Sequence, residues 1–482
     1  MPLPVFAQQA APAAGVDGFL LAVLFLIGIG WLGGKIAGKE ERAWLPKIIT
    51  WAYIAKLLGS FARFYMVTVL YETGDSLRYH EVGTGFANVW RGFVIPVSTA
   101  GNPGTGVTEV ITGFLYAPYT PSVLGGFIIF ATLSFLGQLL FYAAFRRWFG
   151  TEKKKLYAKA VLFLPSLVFW PSSIGKDALM VFFLGLTTYG ASRLMQRYEF
   201  SSLLFIVPGL ALAAEIRSHV AGIMGLAIVL ALLLGKTPKK LQGSPKRAIM
   251  LALSVVGAAA VLAIFSSSFS VSLEGGSGTQ DPTAFLEDVS EQTAQGGSQI
   301  TGGAVASPSQ LPLAILTVLF RPLIHEGRSP QVLLSALEGT TLLLITVWKL
   351  PTMWRNRRLL RDKPVLFLAF FYTGGFIIGF SAILNLGILA RQRVQVLPLF
   401  LALIIGLGWN EAKAPDDPDA PKLDRKAPRR PPAKSAPGSI EVGESRGRGS
   451  QRETARPRSR SRSRREPSGF ATRPADGRHS QP

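Results

Sequence analysis

The chain has no cysteine among its 482 residues. That absence excludes disulfides, thiolate nucleophiles and cysteine-ligated metals, and it leaves the redox compartment unreadable. Charge is scarce too: 17% of residues are charged, against about 25% in an ordinary soluble domain. No Asn-x-Ser/Thr sequon occurs. There is no P-loop, no GxSxG elbow and no dinucleotide fingerprint, since Gly83-Thr84-Gly85 lacks the third glycine and a preceding strand. Nothing therefore points to an ATP-driven pump. What is present is apolar: 49% hydrophobic residues in long runs, with a mean hydropathy of +0.32. Length alone would suggest two or three soluble domains, but the runs indicate a multi-span membrane protein.

The apolar runs predict an all-α, polytopic transmembrane helical bundle over residues 1–410, followed by a disordered tail at 411–482. Eleven spans are expected, at about 18–38, 48–70, 123–145, 157–172, 178–193, 201–215, 219–235, 248–268, 331–348, 364–384 and 394–410. The segment PLAILTVLF at 312–320 is too short to cross and is expected to be re-entrant or interfacial. The N-terminal stretch MPLPVFAQQAAPAAG lacks a basic region followed by an apolar one, so the first span is expected to act as the insertion signal. No internal repeat is visible.

Net charge is +22, and its placement gives orientation. Alternate loops are basic: Lys35 to Lys47, Arg146 to Lys159, Arg193 with Arg197, Lys236 to Arg247, and Lys349 to Lys363. The positive-inside rule makes that side cytoplasmic in a cell (plasma or inner) membrane, with the N-terminus outside and the C-terminus inside. The other side carries two long outer loops, 71–122 and 269–311, the second a mobile lid or plain disordered loop. The tail is rich in Pro, Arg and Ser (RPRSRSRSRREP at 456–467). It reads as a solvated segment near anionic lipid head groups, and no specific nucleic acid is expected as a partner.

The outward ends of the spans hold nearly every candidate acid, base or phosphate ligand. An ionisable group at membrane depth costs at least ~2.5–3.5 kcal/mol, so it marks a functional hypothesis. The first cluster is Asp75, Tyr79 and His80, where a helix would put Asp75 and Tyr79 on one face. Asp75 suits a general base; it also suits a helix cap. The second is Lys176 with Asp177 on a tight Pro/Gly turn, a phosphate holder or an interfacial anchor. The third is Arg217 with His219, hemmed between two apolar runs. The fourth is Arg321, His325 and Glu326, with Glu338 inside the next span; Ser329 breaks an HExxH pattern. The fifth is Arg391 with Arg393, arginines on a side that should be poor in them, which an anionic ligand would explain. No cofactor is required. His80, His219 and His325, with Asp75, leave room for a divalent metal.

Four segments carry a family resemblance: GDSLRYHEVG at 74–83, FLPSLVFWPSSIGKDAL at 163–179, RPLIHE at 321–326 and NLGILARQR at 385–393. In order and placement they resemble motifs of the bacterial integral-membrane glycosyltransferases of GT-C type and the O-antigen-polymerase-like proteins. They cover under a tenth of the chain. The resemblance implies sugar transfer on the outer leaflet from a polyprenyl-phosphate-linked donor to a glycan or lipid acceptor. It implies Asp75 as the catalytic acidic residue, with His80 supporting it. Lys176, Arg217, Arg321, Arg391 and Arg393 would hold phosphate, beside Tyr79, Asp177 and Glu326, and His219 and His325 would position the acceptor. Two features differ from the GT-C pattern: the acidic loop follows the second span rather than the first, and Asp75 has no acidic neighbour. A polymerase-like relative working through arginines without metal stays open. So do two alternatives, a transporter or flippase for an anionic lipid-linked glycan and a non-catalytic membrane assembly protein.

Overall fold

The apolar runs fold as helices, and among the described residues there is no strand. The computed structural model describes residues 15–72, 74–94, 104–236, 308–327, 330–383 and 385–410, with a few positions between 245 and 257. Most of the expected span at 248–268, nearly all of the 269–311 loop and the tail lie outside the described residues.

The first half comprises α1 (Val16–Ile36), α2 (Leu45–Tyr65, continued by the π-helical turn Met66–Leu70), α3 (Asp75–Arg91), α4 (Thr105–Tyr116), α5 (Val123–Phe145), α6 (Thr151–Phe163) and α7 (Pro165–Phe169). It continues with α8 (Lys176–Arg197), α9 (Leu203–Ile216) and α10 (Ser218–Leu234). The second half has α11 (Leu311–Phe320), α12 (Pro330–Arg355), α13 (Leu359–Asp362), α14 (Pro364–Phe380), α15 (Leu386–Gln392) and α16 (Leu397–Gly408). Proline stands in the first turn of α2, α7, α11, α14 and α16. There its missing N–H costs no helical hydrogen bond.

Among the described residues, five helical stretches are long and apolar enough to cross a membrane: α1, Leu45–Leu70, α5, α8 and Val332–Arg355. Leu386–Gln395 and Leu397–Gly408 form a pair bent by 64°, which makes a sixth if counted as one span. Length and composition thus support five or six crossings directly, and eleven requires the shorter helices to cross as well. The expected span at 157–172 is broken, because Pro165 holds Leu164 in an extended conformation (φ −57°, ψ 125°) between α6 and α7. Gln138 on α5 donates 3.2 Å hydrogen bonds to the carbonyls of Val161 and Leu167 on either side of the break. The expected loop at 71–122 instead holds a helical hairpin, α3 against α4, joined by Trp90 Nε1 to the Val110 carbonyl (3.2 Å) and by Arg78 to Glu109 (3.1 Å).

Contacts between helices define two ends of the bundle. At one end Arg146 reaches the Ile36 carbonyl (2.8 Å) and Glu41 (2.9 Å), and Trp148 Nε1 reaches Ser192 (2.8 Å). Lys363 donates to the Trp148 carbonyl (2.6 Å), Lys236 pairs with Asp362 (3.1 Å), and Asn356 donates to the Leu407 carbonyl (2.8 Å). The described residues of the five basic stretches therefore meet at this end. At the other end the Ser122 amide donates to Asp17 (2.8 Å) and Arg217 pairs with Asp177 (3.0 Å). Helices α1, α5, α8 and α10 run from this second end towards the basic one; α2, the α6–α7 pair, α9 and α14 return. At the centre α5 and α8 run parallel and nearly touch, since a Cβ on Gly185 would lie 2.4 Å from the Gly137 carbonyl oxygen.

Candidate functional site

At the end opposite the basic loops, three helices begin at glycines with positive φ: Gly74 (φ 147°), Gly104 (φ 77°) and Gly175 (φ 150°). Each is the N-cap of its helix, so Asp75, Thr105 and Lys176 are the first residues of α3, α4 and α8. A side chain is disfavoured at such φ. At Gly104 it is also blocked, because a Cβ would sit 2.5 Å from the Ile216 carbonyl oxygen. Chain turns that only glycine makes easily thus deliver three helix starts to one place.

Asp177 is the centre of that place. Its side chain is 5% exposed and is held by Arg217 from the α9–α10 junction (Nη2 to Oδ1, 3.0 Å) and by Arg391 from α15 (Nε to Oδ2). Lys176 donates to the Thr105 hydroxyl (2.9 Å). Arg63, near the end of α2, approaches Ser173 (3.5 Å) and lies over the rings of Phe169 (5.2 Å) and Trp170 (5.3 Å). It is within electrostatic reach of Asp177 and Arg391. Asp75 is exposed in the first turn of α3, within electrostatic reach of Tyr79, Lys176 and Arg391. Tyr79 is buried against Gly175, and burial together with the Asp75 charge raises its pKa. Four cations, Arg63, Lys176, Arg217 and Arg391, therefore surround two carboxylates, Asp75 and Asp177. Two of their donors, Arg217 Nη1 and Arg63 Nε, are buried without a hydrogen-bond partner.

Four of the five sequence clusters contribute to this site; the fourth does not. Arg321 and Glu326 pair with each other through Nε (2.8 Å) and Nη2, and the Leu323 amide donates to Glu326 (2.7 Å). Burial raises the Glu326 pKa, but Arg321 and the amide outweigh it and hold the carboxyl below its ordinary value. Their expected place beside Asp75 is corrected: they close a local turn. His325 in that turn is exposed. Arg393 is corrected as well. Two residues along a helix is about 200° of rotation, so Arg391 and Arg393 point apart. Arg393 is fully buried and donates to the carbonyls of Leu319 (3.0 Å) and Arg321 (3.1 Å), with Glu338 at 3.9 Å. Glu338 in turn accepts from the Ser166 amide (2.6 Å).

The histidines do not gather. His80 Nδ1 bonds the Tyr116 hydroxyl (3.1 Å) rather than Asp75, five residues earlier on the far face of α3. Burial pushes its pKa down to about 4. The expectation that His80 supports Asp75 is therefore corrected to a structural contact within the α3–α4 hairpin. His219 packs against Phe380, ring centroids 5.4 Å apart. Among the described residues no group of three or more His, Cys, Asp or Glu side chains is placed to hold a metal ion.

Two contributors went unread in the sequence. Arg63 lies inside an apolar run, which was itself the signal. Thr105 had no signal, since its role comes from the turn at Gly104. No family model, no curated protein and no solved structure matches this chain.

Proposed function

We propose that this protein is a membrane glycosyltransferase or polysaccharide polymerase that takes a sugar from a polyprenyl-phosphate-linked donor at the outer membrane face. In this reading the chain crosses the cell membrane eleven times, with the N-terminus outside and the basic end in the cytoplasm. The observation that carries the proposal is the surplus of two positive charges around Asp177, with guanidinium donors unpartnered beside an exposed carboxylate. Buried cations in excess are costly unless an anion completes them. A phosphate or diphosphate does so, and arginine forks match its oxygens.

The chemistry divides between the two carboxylates. Asp177 is spent on two arginines, so it positions them. Asp75 is open to an acceptor and takes the proton of its hydroxyl group. The acceptor oxygen forms the new bond to the anomeric carbon as the bond from that carbon to the phosphate oxygen breaks. The electron pair leaves on the phosphate, where Arg217, Arg391, Lys176 and Arg63 stabilise the charge that develops. Tyr79 borders the same space. Arg321, Arg393, His80 and His325 have no part in this version.

The test uses full-length protein in lipid nanodiscs. A polyprenyl diphosphate probe measures binding, and labelled lipid-linked sugars measure transfer. Asp75→Asn is expected to lower transfer by ~10²–10⁴-fold while binding persists. Arg391→Gln is expected to weaken binding itself. Normal transfer by Asp75→Asn would overturn the assignment of the base, and passage of unaltered lipid-linked glycan across the bilayer would favour a transporter.

A further inference from the structure

At the basic end, remote from Asp177, lies a cavity of about 930 Å³ between α1, α5, α8 and α9. That volume is in the range of cavities that hold a ligand, roughly 300–1,000 Å³. Its lining is graded along the helices. Away from the basic end it is apolar, with the half-buried Leu32 from α1, Leu136 and Leu140 from α5, Phe182 from α8 and Phe205 from α9. Towards the basic end it turns cationic, with Lys39, Arg146, Arg147 and Lys154. From Leu136 to Arg147 is about 16 Å along a helix, roughly half the hydrocarbon thickness of a bilayer.

The charges at the mouth do not cancel. Glu41 is buried and already accepts from Tyr142 (3.1 Å), Arg146 (2.9 Å) and the Gly38 amide (3.2 Å), with Lys154 at 3.8 Å. Glu40 is largely exposed and accepts from Thr151 (3.0 Å). Arg147 meets no carboxylate in the cavity; its Nη2 donates to the Tyr189 hydroxyl (3.1 Å) and its guanidinium lies over that ring at 5.0 Å. Four cations against Glu40 and Glu41 leave two positive charges at the mouth of an apolar shaft. An amphiphile with an anionic phosphate head and hydrocarbon chains completes such a site.

We infer that this cavity binds an anionic glycerophospholipid, with its phosphate at Arg147 and Lys39 and an acyl chain lying along Leu32, Leu136, Leu140 and Phe205. The site is separate from the transfer chemistry proposed above and does not depend on it. The lipid of the inner leaflet is the occupant because the cavity opens where the basic loops meet. A polyprenyl phosphate is the rival with the same head chemistry.

The test is lipid retention by purified full-length protein, read by native mass spectrometry after exchange into vesicles containing phosphatidylglycerol or phosphatidylcholine. Wild type is expected to retain phosphatidylglycerol over phosphatidylcholine by roughly tenfold or more, and Arg147→Gln with Lys39→Gln to lose most of that preference. Arg357→Gln, a cation of the same end outside the cavity, is the control and should keep it. Leu140→Trp fills the shaft and should release lipid whatever its head group. An unchanged preference in the Arg147/Lys39 double variant, or an equal loss in Arg357→Gln, would overturn the site. Stronger retention of polyprenyl phosphate than of phosphatidylglycerol would overturn the occupant. Asp75→Ala is expected to retain lipid as wild type does, so failure of the glycosyltransferase reading leaves this result standing.

Discussion

Two arginines at the end of one short helix enter opposite kinds of surroundings. Arg391 joins Arg63, Lys176 and Arg217 around Asp177 and Asp75, where positive charge exceeds negative and donors are left over. Arg393, two residues on, enters a balanced network in which Arg393 faces Glu338 and Arg321 pairs with Glu326. In that network the arginine also closes the carbonyls left open at the end of α11. Nε and Nη2 of Arg393 and Oε1 of Glu338 are also buried without a hydrogen-bond partner, so what separates the two surroundings is charge balance and exposure, not residue type or leftover donors. Arg393 is fully buried and Arg391 is partly exposed, so only Arg391 is open to a partner.

The largest expected effect breaks the balanced side. Arg393→Met strands Glu338 in the core, and removing one member of a buried pair costs about 3–5 kcal/mol. Thermal unfolding in detergent should show it as a large loss. Arg391→Met should cost less, about 1–2 kcal/mol, because Arg217 still faces Asp177 and the Arg391 side chain is 35% exposed. Polyprenyl diphosphate affinity should move the other way round, falling for Arg391→Met and holding in whatever Arg393→Met folds. Equal effects of the two variants on both measurements would erase the distinction.

His80 sharpens the boundary from the next step down in size. It lies in the same helix as Asp75 and Tyr79, yet its partner is Tyr116. With its folded pKa lowered from 6.5 to about 4 by burial, the unfolded chain takes up the proton first as pH falls. The stability it contributes is therefore complete above about pH 6.5 and is lost on the way down to about pH 4, by up to about 3 kcal/mol. Melting temperature measured across that range should fall in wild type and flatten in His80→Gln. Diphosphate binding should not follow this titration; if it does, His80 belongs to the site after all.

How much of this was readable beforehand follows from what each feature depends on. Apolar runs and basic loops are local, so helix positions and the gathering of basic loops at one end were legible. Asp75, Lys176, Asp177, Arg217 and Arg391 were legible as well, because a charge beside an apolar run is unusual wherever it sits. Direction was not. Whether Arg391 or Arg393 turns towards Asp177 depends on where α15 starts, and that is set by the Asn385 side chain accepting from the amides of Gly387 (2.9 Å) and Ile388 (3.1 Å). The break at Pro165 was visible as a proline and was passed over in favour of a continuous run. The α3–α4 hairpin was concealed by glycines that read as loop but serve as helix caps.

Lys56 gives the smallest expected effect and the most selective test of the comparison. It is fully buried in α2 and, among the described residues, is paired with no carboxylate. On charge balance alone it would resemble Arg391. Its ammonium, however, donates to the Leu167 carbonyl at 2.8 Å, on the α7 side of the helix break, and it has no route to a ligand. Gln138 reaches the same carbonyl, so that acceptor keeps a partner if the lysine is removed. Methionine fills similar space without a charge to bury. Lys56→Met should therefore change stability by no more than about 1 kcal/mol and leave polyprenyl diphosphate affinity at the wild-type value. A loss of affinity in this variant would mean that surplus charge by itself decides diphosphate binding, and that the exposure of the Arg391 side chain is incidental to it.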